Sequence, residues 1–253
     1  MDNMLCLNCS HEITKNFCAN CGQKANTHRI TFRHFITHDL LHGVWHIERG
    51  ILFTAKQALV RPGQAALDYI AGKRIRYYNV FYLCLLVIGV HLALTHLYDA
   101  INPARLKSDP DDQKVIEFLS HYLKVILLGV VPVIAFNAKL LFGRLKLNWA
   151  EHFIISGVNL LGMLLVSIFF LFFNFINGII PSVALGWLEV IAFLALAVYP
   201  SWTYGNAIKG KYSWLGKCWR LTFFNFLIII ETLAIFSLIF YSINHNSDLI
   251  INL

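Results

Sequence analysis

From Tyr77 onward the chain runs as a series of apolar stretches separated by short polar segments. Each is about twenty residues long, the length that crosses roughly 30 Å of hydrocarbon at about 1.5 Å of helical rise per residue. Five spans are expected: Tyr78–Tyr98, His121–Phe142, Phe153–Ile176, Val183–Tyr204 and Leu221–Ile243. Composition agrees, because 57% of residues are hydrophobic and only 14% charged, where a soluble domain carries about a quarter. The sequence therefore reads as an all-α polytopic membrane protein, residues 77–253 forming a bundle of about five transmembrane helices behind a polar N-terminal portion. The third and fourth spans are separated only by "NGIIPS", so a tight hairpin turning at Gly178 and Pro181 is expected. The polar start "MDNMLCLNCSHEITKNFC" lacks the apolar core of a cleavable signal peptide.

Cations set the orientation. Lys56, Arg61, Lys73, Arg74 and Arg76 precede the first span, Arg144 and Lys146 follow the second, and Lys209, Lys211, Lys217 and Arg220 follow the fourth. With five spans these three segments share one side, which the positive-inside rule makes cytoplasmic. The opposite side receives the acidic loop of Asp99, Asp109, Asp111, Asp112 and Glu117, although Arg105, Lys107 and Lys114 lie there too. The N-terminus is thus expected inside and the C-terminus outside. The net charge of +7 is spent beside the bilayer: in "GKRIRYYNVFY" the cations meet anionic head groups while Tyr77, Tyr78 and Tyr82 occupy the interface. A basic surface away from the membrane, as nucleic-acid binding requires, is not visible.

The most specific chemical signal is "CLNCSHEITKNFCANCGQK". Cys6-x-x-Cys9 and Cys18-x-x-Cys21 read as two knuckles whose four thiolates complete a tetrahedral shell, the donor set of structural zinc, with iron the alternative. Gly22 follows the last cysteine, where a knuckle turn favours a left-handed residue. Disulfides are the competing reading, which a reducing cytoplasm disfavours. One structural zinc per chain is expected in a ribbon over residues 1–26. Four protein ligands leave no open position for catalysis. Cys84 and Cys218 read as packing residues.

Residues 27–76 are too polar to span and too apolar for a linker. A helix from about Thr31 is expected to run to the "RPG" at Arg61, Pro62 to open a second helix, and Gly72 to close it. On the first helix Ile36, Leu40, Val44 and Ile47 share one face, and His34, His38, His42 and His46 form a stripe roughly opposite. Such amphipathic helices beside a basic segment lie in the membrane interface. The histidines then read as the wet side of that helix. Two other roles compete: a metal or catalytic site using His38, Asp39, His42 and His46, with Glu48 or with His152 beside Glu151, and a protonation-sensitive membrane contact.

The stretch "CLNC…FCANCGQK" followed by "RITFRHFITHDLLHGVWHIERGILFTAKQALVRPGQAALDYIAGKRIRYYNVFYL" resembles a family of uncharacterised bacterial integral membrane proteins with a short N-terminal zinc ribbon. The resemblance runs from Cys6 to about Leu83 through the "RPG" and "GKR" blocks. It implies the architecture and a bacterial inner-membrane location. That family is a domain of unknown function, so no activity follows from it.

Ionisable residues inside the spans are costly and therefore informative. His91 and Glu189 are expected at similar depth, where they can pair, and Glu231 stands deep in the fifth span without a charged partner. These groups serve either a proton or ligand pathway or interhelical hydrogen bonds. Pro132 and Pro200 are candidate kinks, but five spans do not divide into the matching halves usual for transporters. No hydrolase, zinc-protease, phosphate-loop or dinucleotide motif is present. The favoured reading is a non-enzymatic scaffold or regulator whose ribbon recruits a cytoplasmic or membrane protein. A metalloenzyme or lipid-modifying enzyme using the His34–His46 tract, and a small proton-coupled transporter using Glu189 and Glu231, are the rivals.

Overall fold

A computed structural model describes residues 4–25, 50–101 and 129–245. The His34–His46 tract, the acidic loop and the first part of the second expected span lie outside the described residues. A small ribbon opens the chain, its strands β1 (Met4–Leu5) and β2 (Glu12–Ile13) paired antiparallel. Seven helices follow among the described residues: α1 (Ile51–Val60), α2 (Pro62–Ile70), α3 (Val80–Ile101), α4 (Gly129–Leu141), α5 (Trp149–Ile179), α6 (Val183–Ala207) and α7 (Trp214–His245). Four of them, α3, α5, α6 and α7, are long and apolar enough to cross a membrane. The expected span His121–Phe142 is described only from Gly129.

Local chemistry explains the boundaries. Arg61 leaves helical conformation at φ −148° and ψ 59°, because a residue before proline is driven from the helical region, and Pro62 begins α2 where a missing N–H costs nothing. Gly72 then takes φ +100° just past the end of α2, a conformation that favours glycine. Asn148 and Glu151 close a reciprocal capping box at the start of α5, each side chain bonded to the other's backbone N–H at 2.9 and 2.8 Å. Pro200 is accommodated inside α6 without ending it.

The centre of the fold is the first half of α5, against which α1, α2, α3 and α6 all pack. From Ala150 to Gly162 nearly every residue of this helix is buried. Phe142, Tyr204 and Phe224 stack into one fully buried aromatic cluster with ring centroids 4.9–5.3 Å apart, and Ser156 shares a 3.1 Å hydrogen bond with the Tyr204 hydroxyl. Beyond this thick end, α3, α5, α6 and α7 leave side chains such as Leu97, Phe172, Ile191, Phe193, Leu233 and Leu238 exposed. An apolar surface this large does not face water on a soluble monomer.

The hairpin α1–α2 differs from the expectation of helices lying on the membrane surface. It is wedged into the bundle, with Ala58 and Ala66 fully buried. The reason is the size of its side chains. Gly63 meets α6 so closely that a Cβ there would stand 2.2 Å from the Thr203 carbonyl oxygen and 2.4 Å from the Ala207 nitrogen. Polar bonds fix the same contact: Gln64 binds Asn206 twice, at 3.0 and 2.8 Å, and the Tyr199 hydroxyl donates to the Ala58 carbonyl. Because a methyl group at residue 63 would meet the backbone of α6 at both Thr203 and Ala207, Gly63→Ala is expected to lower stability by about 1–3 kcal/mol. This reads as a reduced Tm of the detergent-solubilised protein, whereas Gly89→Ala, with nothing within 4 Å of its Cβ position, leaves Tm at or above the wild-type value.

Candidate metal centre and its dock

The two knuckles of the ribbon are built alike. In the first, the Ser10 N–H donates to the Cys6 carbonyl at 2.8 Å and the Cys6 N–H to His11 at 2.9 Å; in the second, Gly22 donates to Cys18 at 2.9 Å and Cys18 to Gln23 at 2.8 Å. Each turn ends in a left-handed residue, Ser10 at φ 59° and Gly22 at φ 77°. The sequence suggested this conformation for Gly22; Ser10 adopts it as well and carries the steric cost that a Cβ imposes there. A backbone bridge between Phe17 and Lys24 closes the second knuckle.

These turns bring the four sulfurs of Cys6, Cys9, Cys18 and Cys21 within 4.8 Å of one another. The Cys6–Cys21 and Cys9–Cys18 sulfurs are 3.6 Å apart, close to the roughly 3.8 Å edge of a tetrahedron with metal–sulfur bonds of about 2.3 Å. All four cysteines are free thiols, so the disulfide reading is not the arrangement found. The donor set fits a tetrahedral thiophilic metal ion. The backbone amide of His11, with the Asn20 side chain and neighbouring thiols, lowers the Cys9 thiol to about 6 against an opposing desolvation. Cys18 is pulled down by the amides of Cys21 and Asn20, yet burial and its bonds to the Cys9 and Cys21 thiols raise it to about 11 overall. The two neighbouring thiols are thus pushed in opposite directions, and a cation that takes four thiolates releases the protons the cluster still holds.

The ribbon is fastened to the segment between α2 and α3. Arg76 reaches into the first knuckle, its Nε donating to the Asn8 side-chain oxygen at 2.9 Å and its Nη2 to the Asn8 carbonyl at 3.1 Å. Gln23, just beyond the second knuckle and 5% exposed, donates its amide to the Gly72 carbonyl and accepts the Ile75 N–H at 3.3 Å. The dock itself is rigid. Asp68 binds Lys73 at 2.7 Å, faces Arg61 at 3.7 Å and meets the Tyr77 hydroxyl at 3.4 Å, and the Tyr77 ring packs on Phe53 and Tyr69. Burial, then the neighbouring Asp68 charge, raises the Tyr77 hydroxyl above its ordinary range. Asn8, Gln23 and Arg76 in these roles were not singled out from sequence: Asn8 is an unmarked position inside a C-x-x-C, and Arg76 reads as one of several membrane-facing cations.

Other candidate residues are distributed differently from expectation. Glu189 accepts a hydrogen bond from the Asn177 amide at 2.9 Å rather than pairing with His91, because the α5–α6 hairpin brings Asn177 to it first; the His91 Nδ1 atom is buried without a partner. Glu231 accepts from the Asn137 amide at 2.6 Å, while Asn225 donates instead to the Ala197 carbonyl. Glu151 is occupied as a helix cap, and His152, 1% exposed, stacks against Tyr204 inside the bundle with its Nδ1 unpartnered. Cys84 is buried beside the Gly157 carbonyl at 3.8 Å, as a packing residue should be, whereas Cys218 is exposed. His38, Asp39, His42 and His46 lie outside the described residues.

A family model described as "Protein of unknown function (DUF3667)" matches residues 48–88. No curated protein and no solved structure matches the chain. The matched stretch comprises α1, the Arg61–Gly63 break, α2, the Gly72–Arg76 dock and the start of α3. It therefore holds both Gly63, which seats the hairpin, and Arg76, which seats the ribbon.

Three outcomes are expected. Purified wild-type protein holds about one metal ion per chain by elemental analysis; Cys6→Ser/Cys9→Ser loses it and His38→Ala/His42→Ala keeps it. Because Cys18 carries a proton up to about 11, metal binding at neutral pH releases protons, and the apparent affinity rises with pH. Calorimetry in buffers of different ionisation enthalpy measures that release. Arg76→Ala retains the metal yet speeds exchange of the Ile75 amide, whose N–H bonds Gln23 in the docked ribbon, since the ribbon stays folded and leaves its dock.

Proposed function

We propose that the protein is a multi-pass protein of the bacterial inner membrane that carries a zinc-folded recruiting module on its cytoplasmic face. The apolar exteriors of α3, α5, α6 and α7 support membrane embedding. Orientation is supported by the placement of cations: the start of α3, the α4–α5 turn, the end of α6 and the start of α7 carry Lys73, Arg74, Arg76, Arg144, Lys146, Lys209, Lys211, Lys217 and Arg220. Arg144 and Arg220 both lie over the Tyr212 ring, at 5.1 and 4.5 Å, which brings two of these segments together at one end. The positive-inside rule makes that end, and the ribbon docked beside it, cytoplasmic, where anionic head groups are its lipid partners.

The observation that carries the recruiting role is the ribbon's surface. Its thiols are spent on one closed, structural site, and Leu5, Leu7 and Phe17 are 60%, 51% and 59% exposed. Three large apolar residues on so small a module offer anchors of the kind that dominate protein interfaces. Zinc suits this role, since four thiolates leave no position for a substrate. The neutral asparagine partners of Glu189 and Glu231 support interhelical hydrogen bonding rather than a proton path.

The test is in-cell crosslinking from a photoreactive residue at Leu7 in the full chain. A discrete protein adduct is expected that disappears with Phe17→Ser and with Cys6→Ser/Cys9→Ser but survives Glu231→Gln. An adduct indifferent to the cysteines, or none from Leu7 beyond that from exposed Lys15, removes the recruiting role.

A further inference from the structure

Away from the ribbon, α4, α5 and α7 enclose an open groove of about 680 Å³ lined by Pro132, Val133, Phe136, Trp149, Phe153 and Glu231. Its volume is that of a small-molecule site. Five of the six lining residues are apolar, three of them aromatic, and the sixth is a carboxylate. Glu231 does not swing freely. Its Oε2 is held at 2.6 Å by the amide of Asn137, itself 3% exposed, so the carboxylate is aimed by a buried neighbour that brings no charge.

A carboxylate facing an apolar, membrane-level groove requires a proton or a cation, and among the described residues Glu231 forms no ion pair. Lys139, two residues beyond Asn137 on α4, is engaged elsewhere: its ammonium donates to the Leu147 carbonyl and lies 6.0 Å over the Trp149 ring. That contact shows the aromatic wall attracting a cation. Trp149 stacks in turn on Phe136 at 6.2 Å, and Phe136 and Phe153 line the same groove as the carboxylate. Aromatic faces around a negative charge are the means by which proteins hold alkylated ammonium groups. Pro132 and Val133, one turn along α4 from Phe136 and Asn137, extend the apolar wall where a hydrocarbon tail would lie.

We propose that this groove binds an amphiphile with an ammonium head at Glu231 and an apolar tail along α4. The chemistry is shared by free long-chain amines and by amine-headed phospholipids. This site is independent of the recruiting role of the ribbon.

Binding is measured on the full-length protein in non-ionic maltoside micelles by quenching of Trp149 fluorescence. The probes are a long-chain alkylamine brominated on its tail, the matching brominated alcohol, and a short-chain brominated phosphatidylethanolamine; Trp149→Phe supplies the background of the other tryptophans. Saturable quenching by the amine, at least tenfold tighter than by the alcohol, is expected. Quenching by the phospholipid as well assigns the natural source to lipid, and by the amine alone to a free amine. Glu231→Gln, which preserves the acceptor for Asn137, is expected to remove the preference for amine over alcohol, and Phe153→Leu to weaken amine binding several-fold. Equal binding of amine and alcohol to the wild-type protein, whatever the variants do, overturns the proposal, as does an unchanged preference in Glu231→Gln.

Discussion

The contact between Gly63 and the backbone of α6 decides how the polar N-terminal portion meets the helix bundle. With no side chain at residue 63, α2 lies against Thr203 and Ala207 at a separation no larger residue permits. That approach buries Ala58, Ala65 and Ala66 and brings Gln64 to Asn206. Once α2 is fixed, its end at Ile70 fixes Gly72, and the following residues become a platform. The ribbon rests on that platform through Asn8 and Gln23. Backbone proximity at one glycine is thus transmitted, element by element, to the four-cysteine ribbon held on the segment between α2 and α3.

Much of this was legible in the chain. Apolar runs mark helices because hydrocarbon leaves the backbone no other partner, and the expected spans at Phe153–Ile176, Val183–Tyr204 and Leu221–Ile243 fall inside α5, α6 and α7. The helices are longer than the runs because capping groups such as Asn148 and polar ends such as Gly205–Ala207 extend them past the hydrophobic limits. The break at Pro62 and the left-handed Gly22 and Gly72 follow from local sterics. The four cysteines were legible because metal chemistry dictates their spacing.

Tertiary choices were not legible. An amphipathic pattern says that one face is buried and is silent about whether lipid or protein covers it. The expectation of interface helices over residues 27–76 rested on such a pattern at Ile36, Leu40, Val44 and Ile47, whereas in α1 and α2 the small side chains Ala58, Gly63 and Ala66 were the available signal for close helix packing. Hydrogen-bond pairing across helices was equally hidden: depth along the spans suggested His91 for Glu189, but the hairpin offers Asn177 first. Arg76 escaped notice because one cation among many carries no mark of the carbonyl it will reach.

Gly50, at the start of α1, presses on the same platform that holds the ribbon: a Cβ there would stand 2.9 Å from the Tyr78 nitrogen and 3.1 Å from the Arg76 carbonyl oxygen. Gln23 and Gly50 are therefore held at neighbouring points of the same backbone. Ribbon and hairpin thus lean on one short run of backbone, so a substitution that shifts Gly72–Tyr78 disturbs both at once.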